Sequence, residues 1–361
     1  SGAPALGRCE SNPVFFFFPR RFALHWQPTT AIESRPMPTV DGRLTVGAAA
    51  AGYILWKGWK SLAVPACVEG EGLTVFKWFF SPPARLVHVT TLLSKAPATF
   101  HEIDLSLGQQ LQWWFLRVNP AHQVPACVEG GQFMAESRDL ARHIFEKYNT
   151  DPANEHWYPR DPARRRAVDE WMDWSKPLHL CIESQVALRL AATPGMPWRE
   201  NYGIVPVLVG SLLDPPGGRE SLLASKLREH LDDAERIISK RSIGGVADLN
   251  LGDLTTLQEV CMAFECFEGT TEIIPSSTSL WKEYPHLAHL YDVFQGVPEF
   301  TAVHAPFLAF CKRYRQVRGL KDTPLTRARG VLTTISSFLP YAIWNAVLAK
   351  LYPFGPRQRQ R

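Results

Sequence analysis

The chain has no paired-cysteine motif. Its seven cysteines (Cys9, Cys67, Cys127, Cys181, Cys261, Cys266 and Cys311) are an odd number with no CxxC among them. That spacing excludes a zinc-finger framework and points to reduced thiols inside a cell rather than a disulfide scaffold. His286 and His289 have helical spacing but no acidic or thiol neighbour in sequence, so no metal is expected. Long apolar runs are also scarce. Residues 46–56 are an uncharged run of eleven, too short to span a bilayer. Net charge is only +4 over 361 residues, which excludes a chain that is strongly basic or acidic throughout.

What charge there is lies unevenly. From Lys312 to Arg361 there are eleven Lys or Arg against one acid, Asp322, so that segment carries +10 and the remainder −6. Such a tail suits a phosphate-bearing surface, lipid or nucleic acid, and equally a solvated tail. Nucleic acid is the weaker expectation, because the tail interleaves few stacking aromatics beyond Tyr314 and Tyr352. Residues 330–349 form a twenty-residue stretch without charge, flanked by Arg327, Arg329 and Lys350. Its length fits a membrane span. Pro340, Asn345 and four Ser or Thr make it only moderately apolar, so a lid segment remains an open alternative. The chain opens on Ser1 rather than Met, as a processed product or a fragment of a longer chain would.

Regular periodicity begins at residue 73. Residues 73–80 (LTVFKWFF) read as a buried strand. Ser81 then caps a helix through Leu93, with Pro82 and Pro83 in the first turn, where a missing N–H costs nothing. A strand over 100–105, a short helix over 109–117, strands over 124–128 and 132–134, and a helix over 136–148 complete a βαβαββα unit of thioredoxin type. Polar residues 149–160 read as a linker. Residues 161–190, 219–241, 251–267, 279–295 and 301–316 read as helices, with a Pro- and Gly-rich loop or insertion over 194–218. The heptapeptide VPACVEG at 64–70 recurs at 124–130 with unmatched flanks, so it is no repeated domain. The expected organisation is an N-terminal extension (1–72), a thioredoxin-like domain (73–148), a linker (149–160), an all-helical domain (161–318) and a C-terminal extension (319–361).

Several stretches in one order resemble the theta class of the glutathione transferase family. They are Ser81-Pro82-Pro83-Ala84-Arg85, residues 104–109 (DLSLGQ), Val118-Asn119-Pro120, Val124-Pro125-Ala126, Glu136-Ser137, Trp157-Tyr158-Pro159, Val168-Asp169-Glu170-Trp171 and Asn250-Leu251-Gly252-Asp253-Leu254. The resemblance implies an α/β thioredoxin-like domain followed by an all-α domain, with glutathione as co-substrate and no other cofactor. It implies that Ser81 is catalytic and donates to the glutathione sulfur. Pro125 would be a cis-proline that presents the backbone of Val124 to glutathione, and Glu136 and Ser137 would receive the γ-glutamyl end. Asn250 and Asp253 would form a structural capping box.

The departures are as informative. Gln110 stands where the family commonly has His, and Gln123 replaces a basic residue before the Val-Pro pair. No arginine is evident near residues 178–181, and Pro177 is expected to interrupt the first long helix. Two lost charge-assisted bonds at about 1.5–3 kcal/mol each would weaken binding by two or more decades, although Gln110 and Gln123 can still hydrogen-bond. With the two extensions, this leads to the expectation of a weakened or inactive transferase fold. It would serve as an accessory subunit of a membrane-associated mitochondrial complex, contacting protein partners and, through 330–349, a membrane. The alternative is an active theta-like enzyme, cytoplasmic, conjugating glutathione to electrophiles through Ser81.

Overall fold

The computed structural model describes residues 72–202, 219–267, 279–320 and 323–335, together with Gly52 and Val68. These belong to one compact unit, Ala48–Arg361. The N-terminal extension, the first copy of the heptapeptide and most of the 330–349 stretch lie outside the described residues.

The first layer is a four-stranded sheet ordered β2-β1-β3-β4, made of β1 (Leu73–Lys77), β2 (Ala98–Glu102), β3 (Ala126–Glu129) and β4 (Gln132–Met134). Strand β1 runs parallel to β2 and antiparallel to β3. As a central strand with both faces covered, β1 reads as a continuous apolar run rather than an alternating one. Its Val75 joins Leu140 and Ile144 on one face, and its Phe76 joins the large core on the other. Helix α1 (Pro82–Leu93) follows β1, α2 (Trp113–Val118) precedes β3, and α3 (Ser137–Tyr148) follows β4. The α/β unit is therefore thioredoxin-like, as expected. The second strand begins and ends earlier than the sequence suggests, a 3-10 turn at Leu105–Leu107 follows it, and a second at Gln109–Leu111 replaces the start of the expected helix over 109–117.

The rest is helical: α4 (Pro162–Ala192), α5 (Pro197–Tyr202), α6 (Arg219–Ile238), α7 (Leu251–Phe267), α8 (Leu280–Glu283), α9 (Pro285–Phe294), α10 (Pro298–Val317) and α11 (Pro324–Thr333). Three differences from the sequence reading share one cause. Pro197 opens α5 inside the expected loop, Pro285 separates α8 from α9 inside an expected single helix, and Pro324 opens α11 beyond the expected last helix. A proline without an N–H is tolerated at the first helical position and so starts helices as readily as it ends them.

Pro177 does not interrupt α4, which continues for 31 residues through it. The turn before it is tied to α3 instead. Arg138 Nε donates to Met172 O at 2.7 Å and Arg138 Nη2 to Ser175 Oγ at 2.8 Å, while Ser175 Oγ donates to Met172 O at 2.7 Å. The linker contains a 3-10 helix, Pro152–Trp157, whose Trp157 is buried against Phe294.

Helix α7 is buried along nearly its whole length and packs on α4, α1 and α10. Its start is the expected reciprocal capping box: Asp253 N donates to Asn250 Oδ1 and Asn250 N to Asp253 Oδ2, both at 3.0 Å. Asp253 also accepts from Trp171 Nε1 at 3.0 Å and from the Arg241 guanidinium. Burial pushes its carboxyl upward, and those donors oppose the shift. Gly252 is required by contact: a Cβ there would lie 2.4 Å from Trp171 Cδ1. Gly252→Ala is therefore expected to destabilise the fold by about 1–3 kcal/mol, the usual range for overpacking. A urea midpoint equal to wild type would contradict this packing.

Candidate functional site

Ser81 lies between the end of β1 and the start of α1, in extended conformation, and its Oγ accepts from Ala84 N at 3.4 Å. The two prolines after it change what this helix start can offer. Pro82 and Pro83 have no N–H, Ala84 N is on Ser81 Oγ, Arg85 N is on Ser81 O, and Ser81 N is on Trp78 O. The Ser81 hydroxyl is an acceptor in its cap, so its own proton is the donor this segment has left for a ligand.

Two hollows meet at Ser81. One is a polar cleft of about 500 Å³. Gln110, Gln123, Val124, Pro125, Glu136 and Ser137 all line it together with Ser81, so the structure gathers every ligand-facing residue expected from sequence. The Val124–Pro125 bond is cis. Glu136, with φ +70° and ψ 103°, occupies a left-handed region that costs a non-glycine residue about 1–3 kcal/mol and recurs at functional sites. It immediately precedes α3, whose first residue is the buried Ser137, so the start of a 12-residue helix lies at the cleft wall. Gln110 Oε1 is buried without a hydrogen-bond partner. Asn250 and Asp253 lie away from this cleft, in the α7 cap.

The cleft is also lined by basic side chains that the sequence reading did not anticipate: His122, Arg138, Lys176 and His179. His122 sits at φ +58° in the loop before β3, and its Nδ1 lies 3.2 Å from Gln110 O. Lys176 pairs with Asp173 at 3.0 Å. Lys176 and His179 lie three residues apart on α4, bracketing Pro177. Their spacing, with Glu183 four residues further on, was the sequence signal available, and the presumed break at Pro177 concealed it.

The second hollow is an apolar pocket of about 140 Å³, walled by Trp78, Phe80, Leu105, Ile182, Val186 and Trp198. His179, Glu183 and Glu259 also line it. His179 Nδ1 is 3.0 Å from Glu259 Oε1, an ion-pair distance without the angle of a hydrogen bond, and His179 Nε2 is 3.5 Å from Glu183 Oε2. Burial alone would depress the His179 imidazole. Glu259 and then Glu183 outweigh it, and its pKa is raised from 6.5 to about 10. His179 in turn draws the Glu183 carboxyl downward. His286 and His289, considered above as a pair, bind different partners: Glu235 for one, Ile243 O for the other.

A raised histidine pKa has a defined sign. The stabilisation from His179 is fully present below its unfolded value near 6.5 and is lost as pH rises through about 10. Urea unfolding between pH 6 and 10 should therefore show wild type losing stability relative to His179→Asn. Parallel pH profiles for the two proteins would contradict the ion-pair assignment.

Comparison with known proteins places the chain in a family. A family model described as the N-terminal domain of glutathione S-transferase matches residues 75–153. Mouse glutathione S-transferase theta-3 is 30% identical over 194 residues, covering 52% of this chain and 72% of that protein. Human glutathione S-transferase theta-1 is 26% identical over 237 residues, 63% of this chain and 88% of the relative. The crystal structure of human glutathione transferase theta-2, in complex with glutathione and an unknown ligand, is 21% identical; the match covers 74% of this chain and all of that one at a TM-score of 0.49. This chain belongs to the glutathione S-transferase family, and its relatives there are of the theta class.

Proposed function

We propose that this chain is an active glutathione transferase, binding glutathione in the polar cleft and conjugating it to an electrophile held in the apolar pocket. The observation that carries this reading is the position of Ser81, which lines both hollows at their junction. The names of the theta-class relatives point the same way.

In this reading the γ-glutamyl carboxylate meets Ser137 at the start of α3, where the helix dipole and free N–H groups favour an anion. Glu136 receives the neighbouring ammonium, and Gln123 and the backbone of Val124 receive the cysteinyl and glycyl portion. Glutathione carries two carboxylates. The cations Arg138, Lys176 and His179 in the cleft supply the positive field that Gln110 and Gln123 do not.

The thiol, ordinarily near pKa 8.5, loses its proton to solvent, and the Ser81 hydroxyl donates a hydrogen bond to the resulting thiolate while keeping its proton. The sulfur lone pair then forms a C–S bond with the electrophilic carbon. The displaced group leaves with the bonding pair; in an addition, the pair passes to the activated double bond, which takes a proton from water. Exclusion of water by Trp78, Phe80 and Trp198 strengthens the Ser81 contact.

The accessory-subunit expectation has no observation favouring it over this reading. Among the described residues no helix is long and apolar enough to cross a membrane.

Ser81→Ala is expected to lower kcat/KM for conjugation by about 10²–10³, the usual effect of removing one donor to a developing or stabilised anion. It should also abolish the ultraviolet thiolate band of bound glutathione while leaving the protein folded. A variant with wild-type turnover, or a wild type with no conjugating activity towards any of a broad electrophile set, would refute the reading.

A further inference from the structure

Helix α11 faces the opposite way from an ordinary surface helix. Such a helix turns its apolar stripe to the core and its polar face to water. Helix α11 packs on α5, and its one buried residue is Gly330, with Thr326, Thr333 and Thr334 half-buried on the same side. The large apolar side chains point to solvent instead. Leu325 is 78% exposed, Leu332 67% and Val331 41%, and Ile335, just beyond the helix, is 57% exposed. Leu325, Ala328, Leu332 and Ile335 recur at steps of three and four residues, so they form one continuous stripe. Of the nine exposed large apolar side chains among the described residues, five lie between Leu320 and Ile335. Scattered exposed leucines need no explanation, but a contiguous apolar strip marks an interaction surface.

The charges around the stripe are of one sign. Arg327 and Arg329 are both exposed, and on the helix they fall on either side of it. Helix α11 contains no acid. In α5, Arg199 and Glu200 cancel, and ahead of α11 Lys321 offsets Asp322. Arg315 of α10 is taken up by Glu265. Beyond the described residues, 336–361 add Lys350, Arg357, Arg359 and Arg361 and no acid. An apolar helical stripe rimmed by arginines matches the boundary of an anionic bilayer, where acyl chains receive the leucines and phosphates receive the guanidinium groups. A protein groove would accommodate the stripe as well, but the acid-free basic continuation favours an extended layer of phosphates.

We propose that α11 docks this chain on an anionic membrane surface, lying in the plane of the bilayer. Leu325, Ala328, Leu332 and Ile335 enter the boundary between headgroups and acyl chains, and Arg327 and Arg329 bind lipid phosphates on either side. At 10 residues the helix is about 15 Å long, so it lies on a bilayer rather than crossing it. The proposal is independent of the transferase reading, because α11 lines neither hollow.

Flotation of the full chain with large unilamellar vesicles, without glutathione, tests it. Phosphatidylcholine vesicles are compared with vesicles containing about one-third phosphatidylserine, and salt is raised from about 0.1 to about 0.5 M. Wild type is expected to bind the anionic vesicles about tenfold or more tightly than the neutral ones, the effect of two cations at such a surface. Added salt should remove most of that preference. The double change Leu325→Asp/Leu332→Asp should abolish flotation, and Arg327→Gln should reduce the anionic preference severalfold. Phe133→Asp, at another exposed apolar side chain in β4, should change neither. If the double variant fails to fold, Arg327→Gln and the vesicle comparison still decide. No binding to either vesicle, equal binding to both, or binding unchanged in a folded double variant overturns the proposal. Self-association of wild type without vesicle binding, lost in the double variant, assigns the stripe to a second copy and also overturns it.

Discussion

The site is held in place by one buried cation. Arg85 is 1% exposed and makes no ion pair among the described residues, although the field of Glu259 works against the downward pull of burial on its pKa. Its Nη1 donates to Phe80 O at 2.7 Å, its Nε to Gln258 Oε1 at 2.6 Å and its Nη2 to Gln258 O at 3.0 Å, while its guanidinium lies 3.9 Å from the centre of the Phe307 ring. Burial lowers its pKa from 12.5 to about 10, which still leaves it charged at neutral pH. Burying a guanidinium is expensive unless its N–H groups find acceptors, and here the acceptors come from two different units. Phe80 O belongs to the turn that ends in Ser81, and Gln258 belongs to α7. Arg85 thereby fixes the Ser81 segment against the helix that carries Glu259, the next residue after its partner.

A second set of contacts positions the helix opposite. Asp253 caps α7 and binds Trp171 of α4, and the absent side chain of Gly252 lets that indole lie against α7. Arg138 ties α3 to the same helix one turn further along, at Met172 and Ser175. Helix α4 is thus held by both units just before it presents Lys176 and His179 to the cleft. Arg85, Asp253 and Arg138 act on different elements, and together they bring α1, α3, α4 and α7 to one site.

How much of this was legible depends on whether the information was local. Ser81, Pro125, Glu136 and Ser137 are each defined by their immediate neighbours: a serine before two prolines, a proline before a strand, an acid and a serine before an amphipathic helix. Their order along the chain gave the fold and the outline of the cleft. The Asn250–Asp253 box was readable for the same reason. The basic residues were not, because His122, Arg138, Lys176 and His179 come together only when α4 crosses the edge of the α/β unit. Reading Pro177 as a break made the loss of positive charge at Gln110 and Gln123 look uncompensated. Glu259 was hidden differently: a glutamate in an apolar helix gives no sign of whether its carboxylate is paired, and only the three-dimensional surroundings show that one oxygen is not.

The account therefore centres on a tripeptide with two carboxylates meeting a cleft whose positive charge comes from residues scattered along the chain. Calorimetric titration of glutathione into the purified, folded chain tests it most directly. A dissociation constant between about 1 μM and a few millimolar, equivalent to about 4–8 kcal/mol, is what the cleft predicts. No heat and no competition at about ten millimolar glutathione, below the range that even about 3 kcal/mol of binding would give, in a sample with native circular dichroism, would contradict it.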